Sequence, residues 1–308
     1  MKTAFIFPGQ GSQYVGMGKS LAQEFPSARA IFTQADQALG FSLSELCWEG
    51  PAEELQLTEN MQPALVTVSI AACRVLEEQG VRPDYVAGHS LGEYSALVAA
   101  KSLDFSDAVQ LVRKRGQYMQ EAVPVGTGAM AALLKLPADK LDAVLAEAAQ
   151  GEVVTAANFN SPDQVVLAGH TAAVNRAVDL ARAAGARAKV LAVSAPFHCP
   201  LMEPAQARLK ADLDATGFRD LATPLVNGWQ AELIRTGDAA REGLYQQVPN
   251  SVRWTEVIQR LAALGVTRLI EVGAGSVLTG LLRNIDRSLE SSKFGEAQDL
   301  EKVHAAIA

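Results

Sequence analysis

The stretch Tyr85-Val86-Ala87-Gly88-His89-Ser90-Leu91-Gly92-Glu93-Tyr94 decides the fold. Its centre, Gly88-His89-Ser90-Leu91-Gly92, fits the pattern G-x-S-x-G. A short apolar run precedes it, and Leu91 to Ala100 has helical spacing. The expectation is a buried strand over 85–88 that turns abruptly into a helix, with Ser90 strained and exposed on the turn. Glycines on both sides let strand and helix approach closely. The free N–H groups of the helix start would face a developing oxyanion. An N-cap serine would give the same pentapeptide, so the flanking pattern carries the nucleophile reading.

Working outward, Thr3 to Phe7 reads as a second buried strand, ended by Pro8-Gly9. Helical periodicity runs from about Met17 to Glu78 and again over Phe105 to Ala122. The character changes at Val123-Pro124-Val125-Gly126-Thr127-Gly128. After it come segments of the order β, α, β, β, α, β: Ala129–Leu134, Pro137–Gln150, Val153–Asn158, Gln164–Ala168, Thr171–Ala184 and Ala188–Val193. That order is ferredoxin-like. The expected fold class is α/β, a parallel-sheet core with an inserted α+β unit. Residues 1–123 and 194–308 form the core domain and 124–193 the insert. From Pro200 the chain returns to helix. Thr267–Glu271 reads as a strand, with a helix from about Val277. The last twenty or so residues carry no strong pattern and are expected to be frayed or loosely docked.

Composition narrows the function classes. Apolar residues make up 49% of 308, enough for a large core, and 27 basic against 34 acidic residues leave a net charge of −7. With no block of like charge, a nucleic-acid surface is not expected. The three cysteines form no CxxC pair, so neither a disulfide framework nor a zinc site is expected, and a reducing cytoplasm is the expected compartment. No run reaches the length of a membrane span, and none has the form of a secretory signal.

A serine hydroxyl needs a base. Of the four histidines, His89 neighbours Ser90 on a turn where adjacent side chains diverge, His170 ends a strand of the insert and His304 lies in the tail. His198 sits in Ser194-Ala195-Pro196-Phe197-His198-Cys199-Pro200, between two prolines at the domain junction, and is the expected base. No acid between Ser90 and His198 occupies a convincing strand-end turn, so a backbone carbonyl or an amide is expected to orient the imidazole. On the helix 105–122, Ala108, Val112, Arg115 and Met119 share an apolar stripe. A guanidinium there needs an anionic partner. Spacing alone leaves two: a substrate carboxylate, with Met119 lining the same site, or a protein carboxylate. The turns Gly9-Gln10-Gly11-Ser12-Gln13 and Gly273-Ala274-Gly275 are neither a P-loop nor a full dinucleotide fingerprint. The first can present backbone N–H groups to a neighbouring anion.

Taken together, the motifs resemble the malonyl-CoA:acyl-carrier-protein transacylase family, related to polyketide-synthase acyltransferase domains. The resemblance spans about residues 3–285. It rests on Phe7-Pro8-Gly9-Gln10-Gly11-Ser12-Gln13, the Ser90 segment through Tyr94, Arg113-Lys114-Arg115-Gly116, Asn158-Phe159-Asn160-Ser161-Pro162, Ala195-Pro196-Phe197-His198 and Glu271-Val272-Gly273. It implies a hydrolase-like core with a ferredoxin-like subdomain, Ser90 as nucleophile and His198 as base. It also implies an oxyanion hole from the Gln10 and Leu91 N–H groups, and Arg115 as clamp on a malonyl carboxylate. The family's histidine-orienting glutamine carbonyl matches Gln247, within a segment that departs from the usual Asn-Pro-Val form. Asn158 matches a site-lining asparagine. Arg187, and with a shifted match Lys189, correspond to contacts for CoA or the carrier protein. A phenyl ring at Phe197 implies malonyl over methylmalonyl selection. The implied partners are malonyl-CoA and an acyl carrier protein of fatty-acid or polyketide synthesis, with no metal or redox cofactor and a monomeric chain. Arg187, Lys189, Arg208, Lys210, Arg283 and Arg287 are candidates for a basic carrier dock. A serine hydrolase or thioesterase shares Ser90 and His198 but needs no Arg115. A non-catalytic carrier-binding module needs none of the three.

Overall fold

Gly88 and Gly92 explain how the nucleophile turn is built. A Cβ on Gly92 would overlap the carbonyl of Phe7, and one on Gly88 would overlap the backbone of Gly92 and Glu93. Strand, turn and helix are therefore packed backbone to backbone. Ser90 itself adopts φ 52°, a left-handed conformation that costs a non-glycine residue about 1 kcal/mol or more.

In the computed structural model, which describes residues 1–307, ten strands follow one another. They are β1 (Lys2–Phe7), β2 (Tyr85–Gly88), β3 (Gly128–Leu134), β4 (Val154–Ser161), β5 (Gln164–His170), β6 (Arg187–Val190), β7 (Leu225–Val226), β8 (Leu233–Ile234), β9 (Val266–Val272) and β10 (Glu290–Phe294). One sheet has the order β10-β9-β1-β2-β7-β8, parallel except for β8. β1 and β2 lie at its centre, buried on both faces, which is why they read as apolar runs rather than alternating ones. Their C-terminal ends carry the Gly9 turn and Ser90. The expected α/β class and parallel core are thus observed.

The second sheet is antiparallel with the order β4-β5-β3-β6. Counted within the run of six segments this is second, third, first, fourth strand, the ferredoxin-like arrangement. Its helices, Leu141–Ala149 and Thr171–Ala183, pack on it through a separate apolar cluster that includes Leu133, Val144, Leu167, Val174 and Val178. An isolated bridge from Asn158 to Val252 ties this sheet to the loop before the helix Trp254–Ala263.

Several expectations need correction. β6 ends at Val190 rather than Val193, because only residues 187–190 pair with β3. β4 runs on to Ser161 through register shifts near Asn158 and Phe159. The two-residue strands β7 and β8 were not expected from the pattern, being too short to show a period. The tail is not frayed over its described residues, and the expectation for Ala308 lies outside them. Lys293 and Phe294 pair with Glu271 and Val272, Phe294 and Val303 are fully buried, and Glu296 accepts hydrogen bonds from Tyr14 and Ser20. Its five-residue strand is half exposed, which hides the apolar signal. Truncation of Phe294 to Ala should therefore cost about 3–5 kcal/mol in urea unfolding. A change within 0.5 kcal/mol, about what a surface site shows, would mean that the tail is not part of the core.

Candidate functional site

A cavity of about 310 Å³ opens at the C-terminal ends of β1 and β2, against the second sheet. Gln10, Ser90, Leu91, Arg115, Met119, Asn158, Phe197 and His198 all line it. Residues from both sheets and from the 194–200 loop therefore converge on one space, although they lie far apart in the chain.

Ser90 Oγ lies 2.6 Å from His198 Nε2, and His198 Nδ1 lies 2.9 Å from the Gln247 carbonyl oxygen. A carbonyl can only accept, so Nδ1 carries the proton and donates it. Nε2 is then left with its lone pair toward the serine hydroxyl. The group that meets Nδ1 is a carbonyl rather than an acid, and it belongs to Gln247. This residue caps the helix Gly237–Gln246, where a carbonyl is free to accept from outside the helix. His198 has φ 60°, a second left-handed residue, held between Pro196 and Pro200. Burial and then the charge of Arg115 push the His198 imidazolium down to about 3. The imidazole is neutral at neutral pH, the form a base requires.

Arg115 is buried, only 2% exposed, on the helix Phe105–Glu121. Its guanidinium donates to Gln62 Oε1 at 2.8 Å, Ser90 Oγ at 3.2 Å and Gln247 Oε1 at 3.1 Å. None of these acceptors is a carboxylate, and its Nε has no protein acceptor among the described residues. The Tyr94 ring lies 5.6 Å from it. Of the two partners that spacing left open, a protein carboxylate in hydrogen-bond contact is not observed. A buried cation that lines a cavity and donates only to neutral groups can take an anion from that cavity.

Gln10 and Leu91 flank Ser90, and among the described residues neither N–H donates to a protein acceptor. Leu91 precedes the helix Gly92–Ala99, so its amide is one of the free donors of the helix start. Arg187 and Lys189 lie exposed on the edge strand β6 and do not line the cavity. Arg208 and Lys210 pair with Glu121 and Asp214, at 2.5 and 2.6 Å. Arg283 and Arg287 line a separate hollow of about 450 Å³. None of these six cations lines the cavity.

Sequence reading missed four groups. Gln62 sits among apolar neighbours of the long helix Thr58–Glu78, where its buried amide gives no periodic signal. Asn160 Oδ1 lies 2.8 Å from His89 Nε2, joining the nucleophile turn to β4. Val277, Leu278 and Leu281 form one wall, from a helix whose start is capped by the buried Glu271. Glu93 is fully buried, and its Oε2 accepts from Gly228 N–H at 2.9 Å and Gln247 Nε2 at 3.0 Å. Burial pushes its carboxyl up to about 7 against the pull of those donors and of Arg115. An acid three residues after the serine looked like an ordinary first-turn charge.

Comparison with known proteins gives the family. The acyl transferase domain family matches residues 4–305. The malonyl CoA-acyl carrier protein transacylase of Escherichia coli strain K12 is 50% identical over 95% of this chain and 96% of that protein. Its Bacillus subtilis strain 168 counterpart is 47% identical over 97% of this chain and 95% of that protein. The solved acyl carrier protein S-malonyltransferase of Vibrio cholerae superposes with a TM-score of 0.96 at 44% identity, over 98% of this chain and all of that one. A malonyl-transacylase solved in complex with a type II PKS acyl-carrier protein gives 0.97 at 44% identity, covering 99% of this chain and 100% of that one. The chain belongs to the acyl transferase family, in its group of malonyl-CoA:acyl-carrier-protein transacylases.

Proposed function

We propose that this chain transfers the malonyl group from malonyl-CoA to the phosphopantetheine thiol of an acyl carrier protein, through a malonyl ester on Ser90. One observation carries the reading. The hydroxyl bonded to His198 is also touched by a buried Arg115 that, among the described residues, makes no hydrogen bond to a carboxylate. In malonate the carboxylate lies one methylene from the reacting carbonyl, so a cation beside Oγ is within its reach.

The steps follow from the residues. Arg115 holds the malonyl carboxylate. His198 Nε2 takes the Ser90 proton as Oγ bonds to the thioester carbon. The carbonyl oxygen becomes an oxyanion facing the Gln10 and Leu91 N–H groups. Collapse breaks the C–S bond, and the CoA sulfur leaves with the proton from His198. The carrier thiol then gives its proton to His198, attacks the acyl-serine, and the alkoxide of Ser90 recovers that proton. Gln247 keeps the imidazole in the required tautomer throughout. Met119, Asn158 and Phe197 shape the acyl pocket, with Phe197 in the space of an α-methyl group. No step calls on a metal or redox group. Arg187 and Lys189, on their exposed edge, are proposed outer contacts for CoA or the carrier. We take residues 124–193 as an inserted domain within 1–123 and 194–308, supported by its separate apolar cluster, and place the enzyme in the cytoplasm as a monomer.

Labelled malonyl-CoA should leave its label on Ser90, stable until carrier thiol is added, with methylmalonyl-CoA a much poorer donor if Phe197 blocks the α-methyl. Rapid loss of label to water without carrier would indicate a hydrolase instead. Arg115→Ala should lower kcat/KM for malonyl-CoA by on the order of a hundredfold or more, while acetyl-CoA becomes relatively favoured. An unchanged malonyl-to-acetyl ratio would remove Arg115 from the role of clamp.

The pH dependence has a definite sign. His198 falls from its ordinary 6.5 to about 3 in the free enzyme. The base is thus already deprotonated across neutrality, and kcat/KM for Ser90 acylation should show no inflection at 6.5. By linkage, the unfolded chain binds a proton between these two values that the folded one does not, so His198 makes stability fall as pH drops from 6.5 toward 3. A kcat/KM profile that halves at pH 6.5 would contradict this picture of the base.

A further inference from the structure

Gln247 does two jobs with two parts of one residue. Its main-chain carbonyl accepts from His198, and its side-chain oxygen accepts from Arg115 Nη2. The side-chain nitrogen donates to the Ser90 carbonyl at 3.1 Å and to Glu93 Oε2 at 3.0 Å. A primary amide presents acceptor and donor at almost the same distance and shape, so nothing in its packing alone decides which end faces the guanidinium. If the amide turned over, its NH2 would face Arg115 and its oxygen would face both the Glu93 carboxyl and the Ser90 carbonyl. The contacts with Arg115 and with the Ser90 carbonyl would become repulsive, and so would the contact with Glu93 whenever its carboxyl is ionised.

We propose that Glu93 is a positioning residue that fixes the Gln247 side chain with its oxygen toward Arg115, and so sets the malonyl clamp. The surroundings are built around this carboxyl. A Cβ on Gly228 would stand 3.1 Å from Oε2, and one on Gly243 3.5 Å from Oε1. Oε2 holds Gly228 N–H as well as Gln247 Nε2, which anchors the 227–228 loop to the helix that begins beside Ser90. Glu93 N–H itself donates to the Ser90 carbonyl at 3.0 Å, the same oxygen that Gln247 uses. Glu93, Ser90 and Gln247 therefore close a ring. Its outward-facing element is the Gln247 oxygen on the guanidinium. Glu93 touches neither His198 nor the serine hydroxyl, so its effect falls on the acyl group that needs Arg115.

This inference rests on the malonyl-transfer reading, and the experiment separates the two. Single-turnover acylation of Ser90 is measured with malonyl-CoA and with acetyl-CoA, and the ratio of the two kcat/KM values is the readout. Glu93→Leu removes the acceptor and should lower the malonyl-to-acetyl ratio about tenfold, the weight of one buried hydrogen bond. Glu93→Gln keeps an oxygen for Gly228 and Gln247 and should hold the ratio within about threefold of the parent, about 0.65 kcal/mol either way. Gln247→Met removes the amide while keeping the main-chain carbonyl, and should reproduce the loss seen in the leucine variant. A folded Glu93→Leu with the parental ratio overturns the proposal. So does a Glu93→Gln that loses the ratio as fully as leucine, because charge rather than an acceptor would then be what matters. Should the leucine variant not fold, a parental ratio in Gln247→Met overturns it equally. A parent enzyme with no malonyl preference would instead overturn the functional reading, and this inference with it.

Discussion

The backbone contact between Gly92 and the Phe7 carbonyl is the constraint on which the rest depends. It forces the helix that follows Ser90 to start directly on the end of β1, with no room for any side chain between them. Ser90 must then turn through φ 52°, and its hydroxyl has only the cavity to enter. The same geometry leaves the Leu91 amide without a helical acceptor and brings the Gly9–Gln10 turn of the neighbouring strand beside it. The exposed Ser90 hydroxyl and the free amides beside it are thus products of one close packing, and the strain at Ser90 is carried by the buried strands around it.

Electrostatics then sorts the groups that this packing gathers. His198 and Arg115 are both almost fully buried, so the imidazole stays neutral and the guanidinium stays charged while donating only to neutral groups. The charge of Arg115 helps keep the proton off His198, and an anion paired with Arg115 would relieve part of that pressure. A carbonyl orienter suits this arrangement. An ionised acid in its place would add a negative charge beside Arg115 and compete with the substrate for it.

Much of this was legible beforehand, for identifiable reasons. Gly88, Gly92 and Ser90 carry their geometry locally, since a strand–turn–helix is decided within ten residues. The six-segment run over 129–193 announced its sheet because each piece is long enough to show a period. Arg115 stood out because it interrupts an apolar stripe. Gln62, Asn160 and Glu93 did not stand out, because a buried amide or acid has meaning only through the atom it meets, and those atoms lie 53, 71 and 135 residues away for their Arg115, His89 and Gly228 contacts. The tail was misjudged because an edge strand with one face in water carries a weak apolar signal.

By itself the sequence determined the class of fold, the candidate nucleophile and the type of chemistry, because these depend on residue kinds and spacings along a short stretch of chain. The departure of the Gln247 segment from its expected form left the orienter of His198 as a match by analogy. Only the tertiary structure decided that it is the Gln247 carbonyl at 2.9 Å, that Arg115 meets no protein carboxylate by hydrogen bond, and that Glu93 reaches the Gln247 amide. Such pairings join separate elements, and short-range spacing carries no information about which buried donor will find which acceptor.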